Sequence, residues 1–141
     1  MRLCDKLGID RDFYSVSIPL GSTINMDGAA ITITIMSLVA AFSCGVDIPI
    51  TVAMLLCIVA TIGACGASGI SGGSLLLIPM CCSLLGVSGD IAAEMIGIGF
   101  IIGVIQDSVE TMLNVSSDAM FTAVAEVADR RKKGDDTPLN L

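Results

Sequence analysis

Three long apolar stretches, separated by short polar or glycine-containing breaks, make up most of the chain. The first covers residues 14–43 and is interrupted by the sequence GSTINMDG. The second covers 49–86, and the third covers 90–129 with the sequence NVSSD inside it. An apolar run of about 20 residues has the length that crosses the hydrocarbon core of a bilayer. The pattern therefore predicts an all-α membrane protein in which the first and third stretches are broken transmembrane helices.

The second stretch is too long for one membrane span and too short for two spans joined by a loop. Its middle, GACGASGISGG (63–73), contains five glycines in eleven residues, a density that breaks a helix. The sequence therefore predicts a re-entrant hairpin, in which two half-helices meet at a Gly- and Ser-rich tip. Such irregular backbone is tolerated at membrane depth only where it faces protein or a water-filled cavity.

Basic charge is confined to the two ends of the chain. Only 15% of the 141 residues are charged, against about 25% in a typical soluble domain, and the mean hydropathy is +0.88. Residues 12–129 contain no Lys or Arg. The alternative is a soluble protein with fully buried core helices, but its surface would need charges that this chain lacks. The basic residues are Arg2, Lys6, Arg11, Arg130, Arg131, Lys132 and Lys133.

This distribution of charge predicts the topology. Basic residues accumulate on the cytoplasmic side of a membrane protein, so residues 1–13 are predicted as a cytoplasmic loop and 130–141 as a cytoplasmic tail. Two full spans and one re-entrant hairpin place both ends on the same side, whereas three full spans do not. We expect a multi-pass protein of the cell (inner) membrane, in contact with lipid.

Composition argues against several classes of function. A pI of about 4.2 disfavours a nucleic-acid partner. The six cysteines have no CxxC spacing and the chain has no His, which disfavours zinc and a disulfide framework; apolar packing accounts better for most of them. An enzyme is not expected, because no Ser or Cys nucleophile has an evident base. The short charged segment at the start also lacks the apolar core of a cleavable signal peptide.

The last apolar stretch carries a polar stripe. At about 100° per residue, four polar side chains share one narrow face of a helix and a fifth lies about 60° to its side. Each charge at mid-bilayer costs about 2.5–3.5 kcal/mol on insertion scales, so the stripe must face a polar cavity or a partner. Hydrogen bonding between helices is the alternative role, although three carboxylates without a basic partner suit it poorly. The residues are Asp107, Thr111, Asn114 and Asp118, with Glu110 to the side.

Small cations suit carboxylates that have no Lys or Arg nearby. Na⁺ is a hard ion that takes oxygen ligands, and a helix that unwinds turns its backbone carbonyls toward an ion. STINMDGAA (22–30) and LNVSSDA (113–119) each combine Asn, a carboxylate and small residues, so each is a candidate helix break. The Gly- and Ser-rich tip beside them could supply further carbonyls and move as a gate.

Three motifs carry a resemblance to a known family. NMDG (25–28), GACGASGISGGS (63–74) and QDSVETMLNVSSD (106–118) resemble the glutamate-transporter family, also called the dicarboxylate/amino acid:cation symporters. YSVSIPLGSTINM, ACGASG and FIIGVIQDSVET are similar to its bacterial serine/threonine:sodium symporter branch. The resemblance covers almost the whole chain.

The resemblance implies a particular architecture, the C-terminal transport core of that fold. Residues 14–43 would correspond to the family's broken seventh helix, 49–86 to its second hairpin and 90–129 to its eighth helix. The family's first hairpin and earlier helices are missing, so we expect a C-terminal fragment or a truncated gene product. The full-length protein would form the homotrimer of the family, through contacts outside this chain.

The resemblance also implies ligands for co-transported sodium. One ion would be held by the backbone carbonyls of Gly21, Asn25 and Asn114 together with the Asp118 carboxylate. The side chains of Asn25 and Asp27 would serve a further ion whose other ligands lie outside the chain.

Another sodium would be shared between the broken helix and the hairpin tip. The resemblance implies that its ligands are backbone carbonyls, one of them from Thr23. The others would come from Thr61, Ile62 and Ala64.

Substrate contacts follow from the same resemblance. Asp107 would hold the substrate ammonium group, while Thr111 and Asn114 would bind the carboxylate side. The tip around Ala67 would cover the substrate. Glu110 would lie on the side toward which the substrate side chain points.

The residue type at position 110 distinguishes between the possible substrate classes. Acidic-substrate members of the family carry an Arg at this position, and an Arg clamps a carboxylate through two hydrogen bonds. A Glu would repel that carboxylate and could accept a hydrogen bond from a small neutral substrate's hydroxyl. The alternative is that Glu110 is protonated or turned away, because buried carboxyls often become neutral.

The predicted function is the C-terminal half of a secondary active transporter that imports serine or threonine together with Na⁺. One alternative within the same class is a cation symporter for acidic amino acids or C4-dicarboxylates. An alternative from another class is a non-transporting membrane module that uses its polar stripe for helix association.

Overall fold

The computed structural model of the protein describes residues 1–140, and all regular structure in that range is helical, with no strand. The all-α fold predicted from the sequence is therefore confirmed. The helices are α1 (Arg2–Leu7), α2 (Arg11–Ile24), α3 (Asp27–Ser43), α4 (Ile50–Gly66), α5 (Gly73–Leu76), α6 (Ile78–Leu84) and α7 (Gly89–Lys132).

The first apolar stretch forms two helices, α2 and α3, with the predicted break between them. Asn25 and Met26 have ψ angles of 81° and 51°, outside the helical range. The final bond of α2 runs from the Asn25 N–H to the carbonyl of Gly21 at 2.7 Å. α2 begins before the predicted position 14, because the Asp10 side chain caps the helix by accepting a hydrogen bond from the N–H of Asp12.

The second stretch folds as a hairpin made of α4, a non-helical tip at residues 67–72 and a return arm formed by α5 and α6. Gly69 and Gly72 in the tip have φ angles of 80° and 68°, a conformation that favours glycine. The 17 residues of α4 are about 26 Å long, which is less than the about 30 Å of a hydrocarbon core. That the hairpin enters and leaves on one side of a membrane stays a prediction.

The third stretch is one continuous helix, so the break predicted at residues 114–118 is wrong. No Gly or Pro occurs between positions 104 and 133, and these are the residues that most readily end a helix. The Ser117 hydroxyl lies 2.9 Å from the carbonyl oxygen of Leu113 in its own helix, a bond that leaves the helix intact. The polar side chains here project from an unbroken backbone.

α3 lies at the centre of the fold and contacts α4, α5, α6 and α7. Its buried side carries Ile33 and Ala40, which belong to one apolar core with Leu56 and Ile78 of the hairpin. Cys81 in the return arm is buried in the same core, so it packs as an apolar residue, as expected.

The outer faces of the long helices are apolar. Ile101, Val104 and Ile105 of α7 are exposed by 84%, 85% and 74%. Two segments, Arg11–Ser43 and Gly89–Lys132, are long and apolar enough to cross a membrane. Apolar surface of this extent is rare on soluble monomers, so these faces fit lipid or further protein and disfavour the alternative of a soluble protein with buried core helices.

The end of α7 is fastened to the start of α2. Both carboxylate oxygens of Glu126 lie 2.9 Å from the N–H of Asp10, and Glu126 also pairs with Arg130. The Arg130 guanidinium donates to the carbonyl of Gly8 at 2.6 Å. These bonds fix the position of α2 along α7, on which the site described below depends.

We predict that Gly28→Ala destabilises the protein by about 1–3 kcal/mol, the usual cost of overpacking. A methyl group at Gly28 would lie 2.5 Å from the carbonyl oxygen of Glu110, so α3 and α7 must move apart. The measurement is the thermal unfolding midpoint of protein purified in detergent. Gly97→Ala is the matched control, because no atom lies within 4 Å of its new methyl group. Equal midpoints for the two variants would contradict the close crossing.

Candidate functional site

A cluster of polar side chains surrounds the break between α2 and α3. The Asn25 amide donates to the Ser117 hydroxyl at 2.6 Å and to the Asp118 carboxylate at 3.1 Å. Ser117 Oγ lies 3.0 Å from Asp27 Oδ1, so Ser117 and the Asn25 amide together link the two carboxylates. We call these four residues the break cluster. Asp118 is only 7% exposed, and the segment that contains it has no Lys or Arg to balance its charge.

Glycine lets the two helices approach closely at the break cluster. A Cβ atom at Gly21 would lie 2.6 Å from Asp118 Oδ1, so any larger residue would displace that carboxylate. The helix break also leaves backbone oxygens without partners, as expected where a helix ends. The carbonyls of Thr23 and Asn25 accept no hydrogen bond from any residue between 1 and 140. These two oxygens are therefore candidate ligands for a cation.

The hairpin tip contacts the carboxyl end of α2. Cys65 Sγ donates to the carbonyl of Ile24 at 2.9 Å, and the Ser68 hydroxyl donates to the carbonyl of Ser22 at 3.2 Å. These two oxygens flank the free carbonyl of Thr23. The tip therefore lies over the end of the broken helix, where it could cover a bound ion.

The hairpin residues assigned to sodium from the sequence are still helical. Thr61 and Ile62 lie inside α4 and are exposed, and a carbonyl inside a helix accepts the N–H four residues later. Ala64 is buried, and its oxygen accepts the N–H of Ala67 at 3.1 Å. Their role as ligands stays a prediction, and it would require α4 to unwind at its end.

Asn114 joins α7 to the start of α3. Its side-chain oxygen accepts the N–H of Gly28 at 2.8 Å, and its amide lies 3.6 Å from the sulfur of Met26. The first N–H groups of a helix have no partner within that helix, so Asn114 supplies one from outside. Its own backbone oxygen lies 3.1 Å from the Ser117 hydroxyl in a continuous helix. The expected roles of its carbonyl at a sodium site and of its side chain at the substrate are untested.

Asp107 lies in a different place from the break cluster. It lines a cavity of about 290 Å³ between α7 and the hairpin tip, together with Ser71, Gly72 and Gly103. Asp107 is half-buried and accepts no hydrogen bond from the described residues. A carboxylate with free oxygens beside a Gly-rich tip suits a cationic group of a small molecule.

Thr111 and Ala67, two further substrate residues predicted from the sequence, do not line this cavity. Thr111, one turn beyond Asp107 on α7, is exposed. Ala67 begins the tip and is half-buried. The structure thus brings Asp107 to the far end of the tip, at Ser71 and Gly72, and leaves Thr111 and Ala67 outside the cavity.

Glu110 forms a second polar cluster between α3, the return arm and α7. Its Oε2 atom accepts hydrogen bonds from Thr32 at 3.0 Å, Ser74 at 2.9 Å and Gln106 at 2.5 Å. We call these four residues the Glu110 cluster. Glu110 lines a groove of about 370 Å³ that does not include Asp107. Gln106 borders both this groove and the Asp107 cavity.

These contacts follow one line along α7. Glu110, Asn114 and Asp118 are four residues apart, so they share one face of the helix, and their partners lie progressively earlier in the broken helix. The line is a continuous seam of hydrogen bonds, so part of the polar stripe does bond between helices. Asp107 lies off that seam, and the negative charge along it has no basic partner within 12–129.

A family model matches residues 1–127, and its description is the sodium:dicarboxylate symporter family. The chain belongs to this family. The expectation of a membrane transporter rather than an enzyme agrees with that membership, and the family name implies coupling to sodium.

Two known proteins are highly similar to the chain. One is the serine/threonine transporter SstT of Bifidobacterium adolescentis, 62% identical over 138 residues, which are 98% of this chain and 32% of that protein. The other is the serine/threonine transporter SstT of Enterococcus faecalis, 59% identical over 135 residues, which are 96% of this chain and 32% of that protein. The chain therefore spans about a third of the length of these relatives. No solved structure matches it.

Several residues of the site are not among those predicted from the sequence. Ser117 lies within the quoted NVSSD motif, and Gln106 directly precedes Asp107, so both had a sequence signal in their neighbours. Ser74 is the last residue of the quoted GACGASGISGGS motif, whereas Thr32 had no such signal, since a lone hydroxyl in an apolar helix usually bonds to its own backbone. Only the packing of three helices brings them to Glu110.

Proposed function

We propose that this chain is the C-terminal half of the transport core of a secondary active transporter that imports serine or threonine together with Na⁺. The observation that carries the proposal is the break cluster. There, Asp118 lies buried and bonded to the Asn25 amide in a segment without Lys or Arg, and the adjoining helix break leaves two backbone carbonyls without partners among residues 1–140. Membership of a sodium:dicarboxylate symporter family and the similarity to serine/threonine transporters support it.

The chemistry of the break cluster suits Na⁺ as a co-transported substrate. Carboxylate, amide and carbonyl oxygens are the ligands that hard cations prefer. In the proposal, Asp118 and the carbonyls of Gly21, Asn25 and Asn114 bind one ion. The side chains of Asn25 and Asp27 serve another. A cation here also offsets the cost of holding carboxylates in an apolar environment.

A further sodium is proposed between α2 and the hairpin tip. The free carbonyl of Thr23 is one ligand, and the tip reaches the neighbouring oxygens of Ser22 and Ile24 through its own side chains. In the proposal, the carbonyls of α4 complete this site when the end of that helix unwinds. They are those of Thr61, Ile62 and Ala64.

The substrate is proposed to bind on the other side of the tip. Asp107 holds the ammonium group of the substrate in the cavity that Ser71 and Gly72 also line. Thr111 and Asn114 bind the end of the substrate that carries its carboxylate. The tip around Ala67 covers it and moves to admit it. Because the tip also contacts α2, its closure couples substrate binding to the ions.

Glu110 favours a neutral substrate in this proposal. It is a second carboxylate, three residues after Asp107 on α7, and an acidic side chain brought here would be repelled without an Arg to bind it. Oε1 of Glu110 accepts no hydrogen bond among residues 1–140, so it is available for a substrate hydroxyl. The alternative is an acidic amino acid or C4-dicarboxylate substrate, which the word dicarboxylate in the family's name favours.

For the whole protein, we propose a homotrimer in the cell (inner) membrane with both ends of this chain in the cytoplasm. The basic residues at the two ends support that orientation under the positive-inside rule. The exposed apolar faces of α7 and of the hairpin support contact with lipid or with parts of the transporter outside this chain.

The direct test is uptake of labelled serine by the full-length protein reconstituted in liposomes. We expect uptake driven by an inward Na⁺ gradient, lost when choline replaces Na⁺, and inhibited by threonine but not by aspartate. Equal inhibition by aspartate would favour the acidic-substrate alternative. No uptake of either class by folded protein would favour the non-transporting module.

Asp107→Asn should abolish serine uptake without unfolding the protein. The substitution keeps the shape of the side chain and removes the charge that would bind the substrate ammonium. Uptake is compared at equal amounts of inserted protein, with Glu94→Gln as the matched control, because Glu94 is an exposed carboxylate on the same helix. Normal uptake by Asp107→Asn would remove Asp107 from the proposed site.

Asp118→Ala should raise the Na⁺ concentration for half-maximal uptake at least tenfold, which corresponds to about 1.4 kcal/mol of lost ion binding. Gly21→Ala should act in the same direction, since its methyl group would lie 2.6 Å from the Asp118 carboxylate. The measured quantity is the Na⁺ dependence of uptake, with Asp90→Asn as the exposed control. An unchanged Na⁺ dependence in both variants would make Asp118 a structural residue.

A further inference from the structure

The return arm of the hairpin has one buried polar side chain, Ser74. It is 3% exposed and lies directly after the tip, two positions beyond Gly72. Its hydroxyl donates to Glu110 Oε2 at 2.9 Å. Apolar contacts among buried core residues also hold the return arm in place.

Glu110 joins Ser74 to two other elements through the same oxygen atom. Thr32 of α3 donates to Oε2 at 3.0 Å and Gln106 of α7 donates at 2.5 Å. Hydrogen bonds to a charged acceptor are stronger than those between neutral groups, and a buried donor that loses its acceptor destabilises the folded state. Removing the carboxylate would therefore loosen three contacts together.

The Glu110 cluster lies next to the part of the hairpin that borders the Asp107 cavity. Ser71 and Gly72 line that cavity, and Gln106 borders both it and the groove of Glu110. At its other end, the tip is held by bonds from Cys65 and Ser68 to carbonyls of α2. The tip thus has one anchor at each end.

We infer that Glu110 is a positioning residue that fastens the return arm to α3 and α7 through Ser74, and so holds the tip closed over the Asp107 cavity. The role goes beyond the proposed substrate contact, because it acts through a residue of the hairpin. Its meaning for transport rests on the proposed function, but the closure itself does not. Glu110 and Asp107 border separate cavities, so loosening the Glu110 cluster opens the tip without removing the Asp107 carboxylate.

The test is the rate at which Cys65 reacts with a maleimide in purified full-length protein. Cys65 is half-buried where the tip contacts α2, so its reactivity reports tip opening. Every other cysteine is replaced, the exposed ones by Ser and the buried ones by Ala. Transport is not needed for this measurement, so its outcome is independent of whether the protein carries serine.

We expect Ser74→Ala and Glu110→Ala each to raise the labelling rate at least fivefold. Because they break the same bond, the double variant should react no faster than the faster single variant. Glu110→Gln keeps an oxygen acceptor for Ser74 and should stay within twofold of the parent protein. Ser83→Ala is the matched control, since Ser83 is an exposed serine on the same arm.

Thermal unfolding of each variant separates this role from general loss of structure. If Glu110→Ala does not fold, Ser74→Ala and Glu110→Gln carry the test, because each changes few atoms. Parent-like labelling of folded Ser74→Ala would overturn the inference. An increase in Glu110→Gln as large as that in Ser74→Ala would also overturn it, since the acceptor oxygen would then not be what holds the arm.

Discussion

The need to keep carboxylates in an apolar helical protein without basic partners governs this structure. Asp27, Asp107, Glu110 and Asp118 lie in a segment that contains no Lys or Arg. Neutral hydrogen-bond donors partly stabilise these carboxylates. The Asn25 amide donates to Asp118, and three donors converge on Glu110. Neutral donors stabilise a carboxylate without cancelling its charge. The negative charge that remains supports the proposal that a cation binds at this site.

Stabilising these carboxylates also accounts for the break between α2 and α3 and for the unbroken α7. The break between α2 and α3 leaves carbonyl oxygens without hydrogen-bond partners, and such oxygens add negative potential where a cation would bind. α7 carries the side chains that converge on this point, and a second break there would leave Asn114 and Asp118 without a fixed spacing. A rigid helix facing a broken one holds the carboxylate still and leaves the carbonyls available.

The sequence predicted the helices, the first break and the hairpin because their signals are local. Glycine density at 63–73 and the Asn–Met–Asp–Gly motif act on the backbone itself. The error at 114–118 came from treating polar residues as if they ended a helix. Asn114 and Ser117 look like helix-ending residues, but their side chains bond to α3 and to their own turn instead.

The site divides in the same way between local and long-range information. The helical spacing of the stripe was enough to predict that Asn114 and Asp118 lie on one face, and the structure brings both to the broken helix. Spacing could not separate Asp107 from Glu110, because their different surroundings depend on the hairpin. Thr32 and Ser74 are 42 positions apart in the chain and meet only at Glu110. Nothing in either neighbourhood predicts that meeting.

The hairpin is the element through which the two halves of the site can communicate. Its tip bonds to the end of α2 beside the break cluster, and its other end borders Asp107 and is held at Glu110. An ion that drew the tip toward the free carbonyl of Thr23 would move the wall of the Asp107 cavity at the same time. Coupling between two sites needs a shared element with two arrangements that each ligand favours differently. Under the proposed function the shared element would be the six non-helical residues between two anchored arms, so coupling would need only the tip to move while α3 and α7 stay in place.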